Sequence, residues 1–180
     1  MFNLPNCLTL TRIFAAPLMV VLLYYEGPLS CFCAALLFTL ASITDLLDGH
    51  IARRDNLVTT FGKFLDPLAD KVLICSVLIM LTYLNRVAAW ITIVIVCREL
   101  MVTGLRAMAA GEGTVIAADK FGKWKTILQS IAVVPLTIHY PVMDINMHAL
   151  GEFLLYIALA LTVVSGVNYM YSYYHKLIIS

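Results

Sequence analysis

Six stretches of this chain are each long and apolar enough to cross a lipid bilayer, and four aspartates stand at the ends of two of them. A spanning helix needs about 20 mostly apolar residues, because only a helix or a closed barrel satisfies the backbone inside hydrocarbon. The six stretches run roughly 8–25, 28–48, 66–84, 87–109, 122–140 and 148–173. Pro28, Gly49, Pro67, Gly111, Gly113, Pro141 and Gly151 punctuate the connections. There is no internal repeat, no low-complexity segment and no linker long enough to divide domains. The expected architecture is all-α and integral to the membrane: one domain over 1–180, a bundle of about six transmembrane helices.

Composition agrees. Of the 180 residues, 62% are hydrophobic and only 13% charged, which is too apolar for an ordinary soluble domain. The net charge of +1 gives no reason to expect a nucleic-acid partner. The five cysteines (Cys7, Cys31, Cys33, Cys75, Cys97) lie in or beside apolar runs, without metal-ligand spacing. They read as small buried hydrophobes. The N-terminus does not read as a secretory signal, since Asn3, Pro5, Asn6 and Arg12 interrupt it. Residues 1–9 are open to a second placement, along the membrane surface.

Orientation follows from the Lys/Arg distribution. Of twelve such residues, Arg86 alone falls in an outer connection. Arg12, Arg53, Arg54, Lys63, Lys71, Arg98, Arg106, Lys120, Lys123, Lys125 and Lys176 fall in inner connections or at or below mid-depth. Both termini are expected on the cytoplasmic side of a cell membrane.

The charges inside the apolar runs carry the chemistry. Asp45 and Asp48 lie three apart at the inner end of the second stretch, and Asp66 and Asp70 four apart at the inner start of the third. On a helix both spacings put the two side chains on one face. A carboxylate at the bilayer centre costs about 2.5–3.5 kcal/mol, so four unpaired ones cost on the order of 10 kcal/mol at that depth. Repulsion adds to this, and proximity to the interface relieves it. Two divalent cations would neutralise four carboxylates, and an all-oxygen donor set suits Mg²⁺ or Mn²⁺ better than zinc.

The segment reads Asp45-Leu-Leu-Asp48-Gly49-His50-Ile51-Ala52-Arg53, then, after eight residues, Gly62-Lys63-Phe64-Leu65-Asp66-Pro67-Leu68-Ala69-Asp70. It resembles the signature of the CDP-alcohol phosphotransferase family, D-x2-D-G-x2-A-R-x8-G-x3-D-x3-D, at all eight fixed positions. The resemblance implies a metal-dependent transfer from a CDP-linked donor to an alcohol. It implies that Asp45, Asp48, Asp66 and Asp70 contact metal, that Asp45, Asp48 and Asp66 help hold the CDP group, and that Asp70 is the base for the acceptor hydroxyl. Gly49, Ala52 and Gly62 remove bulk, so that a nucleotide can approach the backbone. Arg53 admits two readings, a nucleotide contact or an interfacial cation. The resemblance also implies a homodimer.

Acceptor identity lies outside the signature. Three further segments resemble the branch of the family that uses CDP-diacylglycerol and glycerol 3-phosphate: Asn3–Arg12, Arg98–Arg106, and Gly122–Thr126 with Gln129. Such an acceptor is a dianion and needs cations. Arg98 lies near mid-span, where an arginine is costly and usually functional. Arg106 is eight residues on, about 80° around the helix, so the two can line one cavity. Lys123 and Lys125 are two apart and fall on opposite faces of a regular helix, which makes Lys125 the weaker candidate. Thr59 is a further candidate contact for the acceptor phosphate. His50, His139, His148 and His175 read as bystanders, and Tyr169, Tyr171, Tyr173 and Tyr174 as an interfacial aromatic belt. Two other readings stand beside this one. One is a relative using inositol phosphate, serine or phosphatidylglycerol as acceptor. The other, from a different class, is a small cation transporter, against which the aspartates cluster at one membrane face and form no relay.

Overall fold

The computed structural model describes residues 4–54, 60–111 and 120–179, and these form six α-helices. They are α1 (Leu4–Tyr24), α2 (Pro28–Arg54), α3 (Thr60–Tyr83), α4 (Ala89–Gly111), α5 (Lys120–Ile138) and α6 (Met147–Ile179). Among the described residues the sole β feature is an isolated bridge between Val142 and Ile145, in the connection before α6. Each expected apolar stretch is helical, and most helices run beyond it. α1 starts at Leu4, so residues 4–9 are helical and continuous with the first apolar stretch. Gly49, Pro67 and Gly151, expected in connections, lie within α2, α3 and α6.

One stretch, Met147–Ser172, passes a strict test of length and apolarity for crossing a membrane. Among the described residues, Leu10–Tyr24, Pro28–Thr44 and Lys71–Tyr83 are further apolar parts of α1, α2 and α3. Charges interrupt α4 and α5. Arg98, Glu99 and Arg106 interrupt the first, and Lys120, Lys123 and Lys125 crowd the start of the second.

Successive helices run back and forth. Thr82 of α3 shares a hydrogen bond with Thr92 of α4, while Lys71 reaches Glu99. α5 and α6 are likewise antiparallel, with Gly122 near Ser165 and Leu136 near Gly151. α4 and α6 run parallel: Trp90 lies by Tyr156, Arg98 by Ser165 and Arg106 by Tyr169. α1 packs against both α2 and α3, which both also pack against α5. The core lies between these helices, with Met19, Leu23, Phe38, Val77, Leu78, Leu81, Ile95 and Leu136 almost fully buried. The alternation puts Asp45 and Asp48, Asp66 and Asp70, Arg98 and Arg106, and Lys123 and Lys125 toward one end of the bundle.

The opposite end is tied by Arg86. It is 5% exposed, and its Nη1 donates to the Thr137 carbonyl at 2.8 Å and to Cys31 Sγ at 3.4 Å. The outermost cation of the sequence is thus a buried strut joining the α3–α4 turn to α2 and α5. That turn places it. Asn85 has φ 57, Asn85 N–H donates to Thr82, and Arg86 N–H donates to Leu81. This pairing caps α3 with a left-handed residue, a conformation Asn tolerates better than most side chains.

The α5–α6 crossing depends on Gly151. A Cβ there would stand 2.6 Å from Leu136 Cγ, 2.9 Å from the Leu136 backbone nitrogen and 3.1 Å from the Ala132 carbonyl oxygen. Backbone atoms cannot yield as a side chain can. Gly151→Ala is expected to destabilise by about 1–3 kcal/mol, as overpacking typically does. Thermal denaturation of the detergent-solubilised protein checks this. An unchanged melting temperature would mean that the two helices separate at no cost.

Candidate active site

Glu99 is the centre of the charged end. It is 2% exposed, with its carboxylate well inside the bundle. Its Oε2 faces Lys71 Nζ of α3 at 2.9 Å. Its Oε1 accepts from Arg98 Nη1 of α4 at 3.1 Å and from Lys125 Nζ of α5. One buried carboxylate therefore joins cations from three helices. Removing water from a charge costs several kcal/mol, and only close, hydrogen-bonded partners offset that.

Around this centre lies a cavity of about 360 Å³, lined by Lys71, Arg98, Arg106, Lys123, Thr103 and Thr126 among others. Arg98, Arg106 and Lys123, separated in sequence and carried by α4 and α5, are thus brought to one space. Lys125 is not. It is 1% exposed and turned to Glu99, on the other side of α5 from Lys123, as their spacing of two dictates. It lines a much smaller recess with Glu99 and Gln129. Among the described residues, five cations (Lys71, Arg98, Arg106, Lys123, Lys125) surround one carboxylate. Arg106 and Lys123 pair with no carboxylate among those residues. Arg98 Nε is buried without a partner there. Positive charge gathered around one cavity favours an anion.

α6 completes the site. Arg98 Nη2 donates to Ser165 Oγ, and the Arg106 guanidinium lies 5.3 Å from the centre of the Tyr169 ring. Tyr169 is 4% exposed, so it is not part of an aromatic belt. Tyr171 and Tyr174 are exposed, while the side chain of Tyr173 lies outside the described residues. Tyr169, Glu99 and Lys71 were not singled out as site residues by sequence reasoning. Glu99 had a signal, an acid within an apolar stretch and next to a mid-span arginine. For Tyr169 the clustered tyrosines pointed elsewhere.

The side chains of Asp45, Asp48, Asp66 and Asp70, and of Ala52 and Arg53, lie outside the described residues, as does Thr59 altogether. Their backbone positions are clear. Asp45, Asp48, Gly49, Ala52 and Arg53 are in the last turns of α2; Gly62, Asp66 and Asp70 are in the first three turns of α3. Lys71, directly after Asp70, lines the basic cavity. A second cavity, about 300 Å³ and mostly apolar, is lined by Arg12 of α1, Ser42 and Ile43 of α2, Leu73 of α3 and Ile131 of α5, among others. Ile43 is two residues from Asp45, and Leu73 three from Asp70. Thr126 and Ile127 of α5 line both cavities.

Glu99→Gln would remove the buried charge that Lys71, Arg98 and Lys125 share. Breaking a buried pair in this way costs about 3–5 kcal/mol. The variant is expected to show a large drop in melting temperature, beyond that of Arg106→Ala or Lys123→Ala. Equal melting temperatures for all three would mean that Glu99 does not organise the site.

Comparison with known proteins gives the family. The family described as CDP-alcohol phosphatidyltransferase matches residues 2–164. A Bacillus subtilis protein named CDP-diacylglycerol–glycerol-3-phosphate 3-phosphatidyltransferase is 43% identical over 181 aligned residues, covering 94% of each chain. Proteins of the same name from Rickettsia bellii and Haemophilus influenzae are 43% and 37% identical, covering 93% and 94% of this chain and 93% and 92% of their own. The chain belongs to the CDP-alcohol phosphatidyltransferase family, a family of membrane-associated transferases.

Proposed function

We propose that this chain is a multi-pass membrane enzyme that transfers the phosphatidyl group of CDP-diacylglycerol to glycerol 3-phosphate, giving phosphatidylglycerophosphate and CMP. The names of its relatives support the pair of substrates. The single observation that carries the acceptor is the basic cavity, where Arg98, Arg106 and Lys123 surround a space the size of a small phosphorylated molecule, against α3 just after Asp70. An acceptor bearing a phosphate monoester would answer this charge, whereas serine is neutral overall and phosphatidylglycerol brings its phosphate on a lipid.

The multi-pass reading is supported by exposed large apolar side chains on every helix, such as Phe14, Leu29, Ile79, Trp90, Ile131 and Phe153. The Lys/Arg bias supports a charged end, and both termini, facing the cytoplasm. The family likeness extends the proposal to a homodimer.

The four aspartates form an all-oxygen donor set, which fits Mg²⁺ or Mn²⁺, as a pair of ions. When bound, such ions would offset the negative charge that develops on the donor pyrophosphate as its anhydride bond breaks. Asp45, Asp48 and Asp66 would hold them with the CDP group, and Asp70 would touch them too. Gly49, Ala52 and Gly62 leave room for the nucleotide, and Arg53 is its candidate cationic contact. Arg98, Arg106 and Lys123 hold the acceptor phosphate, with Thr59 a further candidate, and so present the acceptor hydroxyl. Asp70 takes the hydroxyl proton as that oxygen bonds to the lipid-side phosphorus. The bond from this phosphorus to the bridging oxygen breaks, and CMP leaves with the electron pair.

Incubation of the purified protein with CDP-diacylglycerol and labelled acceptors tests the proposal. Label from glycerol 3-phosphate is expected in the lipid phase, and label from inositol phosphate or serine is not. Excess chelator should abolish the reaction and Mg²⁺ or Mn²⁺ restore it; full activity in chelator would remove the metal from the scheme. Asp70→Asn should slow turnover about 10²–10⁴-fold while CDP-lipid still binds. Near-normal turnover would assign the proton to another group.

A further inference from the structure

α6 supplies none of the cations and none of the aspartates of the site, yet it touches both arginines. Ser165, Gly166 and Tyr169 lie on one helical face, since positions four apart are one turn above each other. Because α4 and α6 run parallel, this face meets Arg98 and Arg106 in register.

Each of the three does something different. Ser165 Oγ accepts from Arg98 Nη2. Gly166 leaves the space that the Arg98 side chain fills, since a Cβ there would stand 3.2 Å from Arg98 Cγ and 3.6 Å from its Nε. Tyr169 offers its ring face to the Arg106 guanidinium at 5.3 Å. Its hydroxyl is buried with no partner among the described residues, so the ring is what the site uses. A guanidinium stacked on a ring keeps its N–H donors at its edge, free for an anion, and loses less freedom on binding one.

We propose that Ser165, Gly166 and Tyr169 form a positioning surface that aims Arg98 and Arg106 into the basic cavity. The surface acts through the arginines and not on substrate. Naming its beneficiary as glycerol 3-phosphate rests on the acceptor reading above.

The test is steady-state kinetics with each substrate varied in turn, on Tyr169→Leu, Tyr169→Phe, Ser165→Ala and Arg106→Ala. Tyr169→Leu removes the ring and is expected to raise the KM for glycerol 3-phosphate on the order of tenfold. The KM for CDP-diacylglycerol should not move. Tyr169→Phe keeps the ring and should restore the acceptor KM. Ser165→Ala, which removes a hydrogen bond and little bulk, should raise the same KM by a smaller factor. It also decides the matter if Tyr169→Leu does not fold. The double variant Arg106→Ala/Tyr169→Leu should be no worse than Arg106→Ala, because the ring acts only through that arginine.

Equal losses in Tyr169→Leu and Tyr169→Phe, a loss confined to kcat, or an unchanged KM in both Tyr169→Leu and Ser165→Ala would overturn the proposal. Arg106→Ala separates the two ideas. If it raises the donor KM instead, the acceptor reading fails, and Tyr169→Leu should then shift the donor KM with it. If Arg106→Ala raises the acceptor KM and a folded Tyr169→Leu does not, the positioning surface alone fails.

Discussion

A carboxylate with three cations around it, each from a different place in the bundle, is the interaction on which the charged end depends. Glu99 ties Lys71, Arg98 and Lys125 to one point, and so ties α3, α4 and α5 to one another. None of these groups is cheap to bury alone. Held together, they are satisfied by each other, and the helices that carry them take the spacing that this contact requires. Glu99 also turns Arg98 so that its guanidinium lies between the carboxylate and Ser165. The geometry of the cavity follows from that orientation.

Glu99 does not balance its neighbours. Arg106 and Lys123 stand beside the triad without an acidic partner among the described residues, and Arg106 leans on an aromatic ring instead. Charge left over in a confined site is a cost while the site is empty and a source of affinity when an anion enters. The nearby stretch 45–70 leans the other way, with five aspartates against three basic residues, Arg53, Arg54 and Lys63. Two regions of opposite sign meet along α3, where Asp70 is followed by Lys71. That arrangement suits the proposed reaction, in which a pyrophosphate and a phosphate ester must meet at one phosphorus without repelling each other.

Much of this was legible in the sequence. The apolar runs marked the helices, because a helix in hydrocarbon must be apolar over its length and charges show where it stops being so. The i, i+8 spacing of Arg98 and Arg106 told that they share a cavity, and the i, i+2 spacing of Lys123 and Lys125 told that they do not. What escaped was whatever depended on a partner from another helix. Lys125 is a lysine in a basic cluster until Glu99 is known to face it. Tyr169 is one tyrosine of several until α6 is placed parallel to α4. Gly151 read as a helix end because its purpose, the close approach of α5, belongs to the crossing and not to its own segment. Arg86 read only as the one cation of an outer connection, because its acceptor, the Thr137 carbonyl, is 51 residues away.

The central claim is that the cavity around Glu99 binds an acceptor through its phosphate. Equilibrium dialysis of the purified protein against labelled glycerol 3-phosphate, without any CDP-lipid, measures this directly. The account predicts saturable binding that inorganic phosphate competes for, that glycerol does not, and that the double variant Arg106→Ala/Lys123→Ala loses. Binding that glycerol displaces as well as phosphate does, or that survives the loss of both cations, would contradict it.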